Sequence, residues 1–210
     1  MSTTSTAPAA RMPRVRKSPD ERRADVVAAA RALARREGLD ALTLRAIAAE
    51  AGVAPGLVAH YAPSMDELVA ATFGDIVAGE LTEVVALLGR VDGAAERIVV
   101  LLETMLDGSR ADITLVWVQA WAIGIRNDAL ADRVRAEMDR WQSAIAAEIR
   151  RGMDAGVFAD GDAAAIAWHV VAMIDGLSAH SLVGWRGAGD RPSLAARAVA
   201  GLLGVDPAAL

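Results

Sequence analysis

Cysteine is absent from the 210-residue chain, which excludes disulfide bonds and thiolate metal sites. Aromatic residues contribute only 4%, whereas hydrophobic residues as a class reach 54%, with Ala and Leu prominent. β-branched runs are short and strong helix formers are abundant. The composition therefore favours an all-α fold, with one sizeable core or a small domain joined to a larger one.

Long hydrophobic runs are also missing. The longest, residues 113–125, contains Thr114 and Gln119 and is shorter than the ~20 residues that span a bilayer. The stretch from Ser2 to Ala10 is polar and rich in Ala and Pro, without the apolar centre of a secretory signal. We therefore expect a soluble, cytoplasmic protein that does not associate with membranes.

The patterns that carry catalysis are missing as well. The chain has neither a glycine-rich phosphate loop nor a serine nucleophile motif. His169 and His180 fall on one predicted helix about 16 Å apart, at a rise of ~1.5 Å per residue, which is too far to share a metal. The sequence predicts no enzyme, no cofactor and no metal site.

Charge is divided unevenly along the chain. Residues 1–65 carry ten Lys and Arg against six acids, whereas residues 66–210 carry twelve against twenty-one. A basic N-terminal part on an acidic body is typical of a small nucleic-acid-binding module attached to a larger domain. A solvated tail with basic helix faces remains the alternative on charge alone.

Local signals predict nine helices and no strand. Capping boxes at Ser18–Glu21 and Ser64–Glu67 mark two helix starts, and Thr43 is the expected cap of a third helix. The apolar spacing and the glycine breaks supply the rest. The predicted helices are 19–37, two short ones ending near Ala51 and Tyr61, then 65–88, 94–107, 112–125, 128–154, 162–183 and 193–203.

The two short helices have the pattern of a helix–turn–helix. Ala48 is the small residue where the helices meet, Gly52 suits a left-handed turn, and Pro55 suits the first turn of the second helix. Four apolar residues are spaced to face inward: Ile47, Ala51, Val53 and Val58. The pattern predicts a recognition helix for the DNA major groove, and an ordinary helical corner is the alternative.

Residues 18–72 resemble the DNA-binding domain of TetR-family transcriptional regulators. The shared pattern includes Thr43, Ile47-Ala48, Ala51-Gly52-Val53 and Gly56. Val58-Ala59-His60-Tyr61 and Ile174-Asp175-Gly176-Leu177 are similar to the betaine-regulator (BetI-like) branch. The resemblance implies three parts: a disordered basic arm (1–17), a helix–turn–helix domain (18–65) and a ligand-binding and dimerisation domain (66–210).

Positions in this pattern suggest the residues that contact DNA. Arg45 would reach a guanine edge or a phosphate, the recognition helix would meet the groove through apolar contacts, and the basic arm would add a salt-sensitive contribution. His60 has packing as an alternative role. The predicted DNA-binding residues are Arg14, Arg16, Lys17, Thr43, Arg45, Pro55, Gly56, Leu57, Ala59, His60, Tyr61 and Ser64.

Three residues depart from the family pattern. Ala54 replaces a capping Ser or Thr, Ala62 replaces a core Phe, and Met65 replaces a Lys that touches phosphate in the family. A lost cap costs ~1 kcal/mol. These departures leave open a second hypothesis, a helical ligand-binding or interaction protein whose DNA module has weakened.

All five tryptophans and most methionines lie beyond the helix–turn–helix. Aromatic and methionine stripes are ordinary core features; as an alternative, they line an effector cavity with a few polar groups. The predicted ligand-binding residues are Met105, Trp117, Gln119, Trp121, Met138, Trp141, Trp168, His169, Met173 and Asp175. An apolar or amphipathic effector is expected, and tryptophan faces beside an acid would suit a cation.

Small and apolar residues on the last two predicted helices suit close helix packing. The resemblance implies a homodimer joined there by a four-helix bundle; packing within one chain is the alternative. The predicted interface residues are Ile166, Val170, Gly176, Ala179, Leu194, Ala198 and Leu202. The sequence thus predicts a dimeric one-component regulator, expected to be a repressor, that binds a palindromic double-stranded DNA operator and is released by a small molecule.

Overall fold

The computed structural model describes residues 18–62, 64–185 and 188–210, and in these ranges it contains nine α-helices and no strand. The helices are α1 (Pro19–Glu37), α2 (Leu44–Ala51), α3 (Pro55–Tyr61), α4 (Met65–Leu88), α5 (Ala94–Leu106), α6 (Ala111–Gly124), α7 (Asp128–Asp154), α8 (Ala163–Leu182) and α9 (Arg191–Leu203). The predicted all-α architecture is confirmed.

The helix starts follow the predicted capping chemistry. At α1 the Ser18 hydroxyl accepts a hydrogen bond from the Glu21 amide at 3.2 Å, and the Glu21 carboxylate accepts one from the Ser18 amide at 2.7 Å. The structure adds a cap that the sequence analysis did not predict: Asn127 Oδ1 accepts from the Leu130 amide at 2.9 Å at the start of α7. Three single turns of 3-10 helix, which the sequence did not predict, occur at Leu39–Ala41, Ala188–Asp190 and Pro207–Ala209.

The described chain folds into a small N-terminal unit and a larger helical bundle. Helices α1, α2 and α3 pack together, and α4 continues from them into the bundle, where its main partner is α7. A continuous set of buried apolar side chains runs from Val26 in α1 to Leu203 in α9. The two units therefore share a core.

Helix α6 lies between the two units. It packs against α7 and α8 in the bundle and also against α1 and the 3-10 turn at Leu39–Ala41. Its buried residues Ile113, Val116 and Ala120 anchor it in the core. A change in the position of α6 would therefore alter its contacts with both the bundle and the N-terminal unit.

Helix α8 is long and apolar but largely uncovered. Among the described helices it alone has the length and composition to cross a membrane, and 28% of its apolar window is buried within the protein. The loop after α8 adds Val183, which is 82% exposed, and Trp185, which is 54% exposed. The exposed side of α8 and the loop after it therefore form an apolar patch of the kind that often marks an interaction surface.

Candidate nucleic-acid interface and ligand cavity

The corner between α2 and α3 is closed by backbone geometry and by core contacts. Gly52 ends α2 in the left-handed region, with φ 64° and ψ 36°, where a side chain would be strained. The Val53 amide then donates to the Ala48 carbonyl at 2.9 Å. Ile47, Ala48 and Val58 are buried. Because α3 packs into the corner through Val58, its opposite side is exposed to solvent.

The free side of the corner forms a connected surface, which we term the α3 surface. Thr43, Arg45, Pro55, Gly56, Ala59 and His60 are exposed, and Leu57, Tyr61 and Ser64 are partly exposed. Arg45 has no ion-pair partner among the described residues, so its guanidinium is available to an external anion. Nine of the twelve predicted DNA contacts lie here, and Arg14, Arg16 and Lys17 fall outside the described residues.

Helix starts on the α3 surface differ in their capping. The hydroxyl oxygens of Thr43 and Ser64 accept from the amides of Ala46 and Glu67 at 3.1 and 3.3 Å, and their own protons stay available for donation. Ala54 precedes α3 without any side-chain cap. Pro55 has no N–H and the Leu57 amide donates to the Ala54 carbonyl at 2.9 Å, so α3 offers few free amides at its start.

The bundle encloses a compact cavity on the buried side of α6. About 40 Å³ of it is open to the centre of a water-sized sphere. A single water needs ~10–15 Å³ by the same measure, so the space suits a ligand of few atoms. Its lining comes from five helices and the N-cap of α6: Glu80, Met105, Arg110, Thr114, Trp117, Val118, Trp121, Met138, Trp141, Ile145, Val171, Ile174, Asp175 and Ser178.

Aromatic rings form one wall of the cavity. The Trp117 ring packs edge-on against Phe73, with centroids 5.0 Å apart and planes at 85°. Trp121 follows one turn later, with its centroid 5.8 Å from that of Trp117. On the facing helix, the Trp141 indole N–H is buried without a hydrogen-bond partner. Indole faces attract cations, and an unpartnered N–H suits a ligand oxygen.

Two carboxyl groups face the same cavity from different surroundings. Burial raises the pKa of Glu80 to about 7, while the positive charge of Arg110 acts in the opposite direction, with Arg110 Nη1 3.7 Å from Glu80 Oε1. Burial also raises the pKa of Asp175 to about 7, and no cation offsets it. Near neutral pH Asp175 is therefore the carboxyl that lacks a countercharge.

Six of the ten predicted ligand-binding residues line the cavity: Met105, Trp117, Trp121, Met138, Trp141 and Asp175. The other four lie elsewhere. Trp168 is 65% exposed, and the exposed His169 ring turns back to the Ala165 carbonyl, with Nδ1 2.8 Å away. Met173 packs against the core outside the cavity, and Gln119 points toward the N-terminal unit. These four leave the proposed ligand set because none of them lines the cavity.

The sequence reasoning missed Glu80 and Arg110. A signal for Glu80 does exist: it stands four residues after Ile76 and four before Val84, both buried, so a carboxyl occupies an apolar position of α4. Arg110 carried no such signal, because it precedes α6 and meets Glu80 only through the tertiary fold.

The predicted interface residues are not equally placed. On α9, Leu194, Ala198 and Leu202 are exposed, and on α8, Ile166, Gly176 and Ala179 are partly exposed. Val170 is fully buried in the core of its own chain, so it leaves the proposed interface. The remaining six residues lie on the uncovered face of α8 and α9.

Two family profiles match the chain. Residues 26–72 match the bacterial regulatory proteins of the tetR family, and residues 94–204 match the C-terminal domain of the BetI-type transcriptional repressors. The first match contains the α2–α3 corner, and the second contains every helix from α5 to α9. The departures at Ala54, Ala62 and Met65 therefore do not remove the chain from the family pattern.

Individual relatives agree with the profiles. The chain is 32% identical to the HTH-type transcriptional regulator BetI of Rhizobium meliloti over 79% of its own length and 80% of the relative. It is 33% identical to BetI of Brucella anthropi over 47% of its length, which spans only half of that protein. Its structure matches a putative transcriptional regulator from Saccharomonospora viridis in complex with choline, at 30% identity and a TM-score of 0.75 over 84% of this chain and 94% of that one. The chain therefore belongs to the TetR family of transcriptional regulators, which are not enzymes, and carries a C-terminal domain of the BetI type.

Proposed function

We propose that this regulator is a cytoplasmic, homodimeric repressor that leaves its operator when a compact monocation enters the bundle cavity. The observation that carries the effector assignment is Asp175, a carboxyl without a countercharge in a space walled by Trp117, Trp121 and Trp141. A cation placed there gains both the carboxylate charge and the indole faces. The choline complex of the Saccharomonospora viridis relative supports a quaternary ammonium as the first candidate.

The remaining polar atoms of the cavity favour an ammonium that also carries a hydroxyl. Glu80 Oε2 and Trp141 Nε1 are both buried without a hydrogen-bond partner. Unpartnered buried atoms are costly, and a hydroxyl can donate to the first and accept from the second. Choline contains both groups.

For DNA binding, we propose that α3 enters the major groove with Arg45 and Tyr61 beside it. The α3 surface offers Pro55, Leu57 and Ala59 for apolar contacts such as thymine methyl groups. The hydroxyls of Thr43 and Ser64 suit phosphates. The basic arm, residues 1–17, would add a sequence-independent contribution.

The uncovered face of α8 and α9 supports dimerisation through these two helices. Leu194 and Leu202 protrude from α9 with 49% and 37% exposure, beside the exposed Trp185. Pairing of this face with its copy would bury these side chains and give a two-fold axis. The operator would then be palindromic, with half-sites about one DNA turn (~34 Å) apart or slightly more.

Repression is relieved, in this proposal, by a shift between two conformations. A ligand lowers operator affinity only if it binds the conformation with displaced recognition helices more tightly than the DNA-bound one. The cavity and the N-terminal unit share α6 and α4, so occupancy of the cavity can favour one arrangement of the unit.

A gel-shift titration against the promoter beside the protein's own gene tests the proposal. Choline should release the DNA and shift the tryptophan fluorescence over the same concentration range. The variant Asp175→Asn should keep operator binding and need about 100-fold more choline for both responses. Trp168→Phe, at an exposed tryptophan outside the cavity, should behave like the parent protein. A protein that binds choline-type cations but no DNA would favour the ligand-binding alternative, and an unchanged fluorescence at millimolar choline would reject the effector class.

Two further measurements test the docking arrangement and the dimer. Arg45→Ala and Tyr61→Ala should each weaken operator binding about ten-fold or more, in line with the loss of one direct contact. Unchanged affinity in both variants would reject the orientation of α3. Light scattering at micromolar concentration should give the mass of a dimer, and Leu194→Glu should shift it toward the monomer.

A further inference from the structure

The side chain of Gln119 joins α6 to the N-terminal unit. Its Oε1 accepts a hydrogen bond from the Leu39 amide at 2.5 Å, and the Asp40 amide lies 3.4 Å from the same atom. Leu39 is buried and opens the 3-10 turn after α1, so its amide has no partner within that turn. The glutamine thus supplies the acceptor that a buried backbone donor requires.

Gly38 makes room for this contact. It adopts φ 91°, which strains any other residue, and a Cβ added there would lie 2.3 Å from Gln119 Oε1. The carboxamide therefore occupies the volume that a side chain at position 38 would fill. The pair of Gly38 and Gln119, which we term the α6 clasp, is a fitted contact between the two units.

The α6 clasp and the cavity use opposite faces of one helix. Thr114, Trp117, Val118 and Trp121 line the cavity at three- and four-residue steps. Gln119 lies two residues after Trp117, which places it about 160° around the helix from that ring at ~3.6 residues per turn. A rigid-body displacement of α6 would therefore move both the tryptophan face and the clasp.

A second contact supports the same face of α6 but is weaker. Asp112 stands seven residues before Gln119, and Arg35 Nε of α1 lies 2.7 Å from its Oδ2. Both side chains are substantially exposed, and exposed ion pairs contribute little. The partly buried Gln119 contact is therefore the stronger of these two polar contacts.

We propose that the α6 clasp is the connection through which occupancy of the cavity is communicated to the DNA-binding unit, with Gln119 as its positioning residue. This inference rests on the proposed function for the identity of the effector, although the geometry of the clasp does not depend on it. Gln119→Leu keeps the size of the side chain and removes the acceptor. Gln119→Glu keeps the acceptor. Gln142→Leu is the matched control. The Gln142 side chain also bonds to a backbone group of another element, since its Nε2 donates to the Ala164 carbonyl at 3.1 Å, but both of these residues belong to the bundle.

Hydrogen exchange at the Leu39 and Asp40 amides provides a readout that needs no DNA. The cavity is perturbed in two ways in the full-length protein: by choline, and by Val118→Phe, which fills the space from the α6 side. Each perturbation should change the exchange rates of these amides about five-fold or more in the parent protein, the Gln119→Glu variant and the Gln142→Leu control. In Gln119→Leu the amides should exchange faster, and neither perturbation should change their rates more than about two-fold.

The outcomes distinguish a failure of the clasp inference from a failure of the effector assignment. If choline has no effect while Val118→Phe still changes the exchange through Gln119, the effector class is wrong and the clasp is supported. If both perturbations alter the Leu39 amide equally in Gln119→Leu and in the parent, the glutamine is only structural and the inference is overturned. The same holds if filling the cavity leaves these amides unchanged in the parent protein.

Discussion

The α3 surface and the bundle cavity represent two ways of building a binding site. The α3 surface comes from one short stretch of the chain, with its described residues between Thr43 and Ser64, and is held by one corner. The cavity draws on five helices that span Glu80 to Ser178. The first site depends on local geometry and the second on the packing of the whole bundle, so mutations should separate the two activities.

The two sites also differ in how they handle charge. On the α3 surface Arg45 is solvated, so its interaction with phosphate or guanine is screened by salt. In the cavity, burial raises the pKa values of Glu80 and Asp175 to about 7. Operator binding should therefore respond mainly to salt, and effector binding mainly to pH.

The largest effect should come from Val58→Asp. Val58 is fully buried in the α2–α3 corner, and an unpaired carboxylate there costs several kcal/mol, of the order of 3 or more. We expect operator binding to be abolished, while choline still changes the tryptophan fluorescence. Ala49→Asp, at an exposed position of α2, is the control for folding by circular dichroism. Loss of the choline response in Val58→Asp would show that the cavity needs an intact α2–α3 corner in order to fold.

Effector affinity should fall about 100-fold in Asp175→Asn, because the cation then lacks its carboxylate and only the indole faces remain. Calorimetry with choline measures the change. Glu80→Gln should have a smaller effect, since Arg110 already offsets that charge. If Glu80→Gln lost more choline affinity than Asp175→Asn, Glu80 and not Asp175 would be the carboxyl that binds the cation.

The pH profile of effector binding should follow the same carboxyl. Burial raises the pKa of Asp175 to about 7 from 3.8, so the empty protein holds a proton there between these values. A bound cation favours the ionised form, and binding releases that proton. Affinity should therefore fall by about ten-fold for each pH unit below 7 and level off above it. Asp175→Asn should make the affinity depend less on pH. The pH dependence that remains should come from Glu80, which faces Arg110.

The raised pKa values also predict the pH dependence of stability. Below pH 7 the folded chain binds more protons at Asp175 and Glu80 than the unfolded chain does, so the free energy of unfolding should decrease as pH rises from about 4 to about 7 through these groups. The Asp175→Asn variant should be more stable than the parent at pH 8 and similar to it near pH 4. Urea titrations at the two pH values measure the difference.

The smallest effects concern the departures on the α3 surface. Ala54→Ser should restore the missing cap of α3 and add ~1 kcal/mol to the stability of the corner. Met65→Lys should strengthen binding to all DNA sequences alike and steepen its salt dependence by about one phosphate contact. Gel shifts at several salt concentrations measure the second change, and an altered sequence preference would contradict a phosphate role for position 65.

Local signals predicted the helices almost to the residue because their ends carry capping chemistry. Ser18, Thr43 and Ser64 accept from the amides three residues ahead, as their sequence context indicated. The corner was predictable for the same reason, since Gly52 and its neighbours act within one turn.

The cavity was only partly predictable. Periodicity placed tryptophans on helix faces, but it did not distinguish Trp141, which faces the cavity, from Trp168, which faces solvent. Gln119 was expected at the ligand because it is a polar residue in an apolar run. Its partner, the Leu39 amide, lies 80 positions earlier in the chain, and only the fold brings them together.

The separation of aromatic residues has a spectroscopic consequence. The only tyrosine of the chain, Tyr61, lies on the α3 surface, and all five tryptophans lie in the bundle or in the loop after α8. Excitation at the red edge of absorption selects tryptophan, and three of the five tryptophans line the cavity. The phenol ring of Tyr61, in contrast, gives a single resonance in selectively labelled protein. The regulator therefore carries separate natural reporters for its two binding sites, and the order of effector binding and DNA release can be timed without attaching a dye.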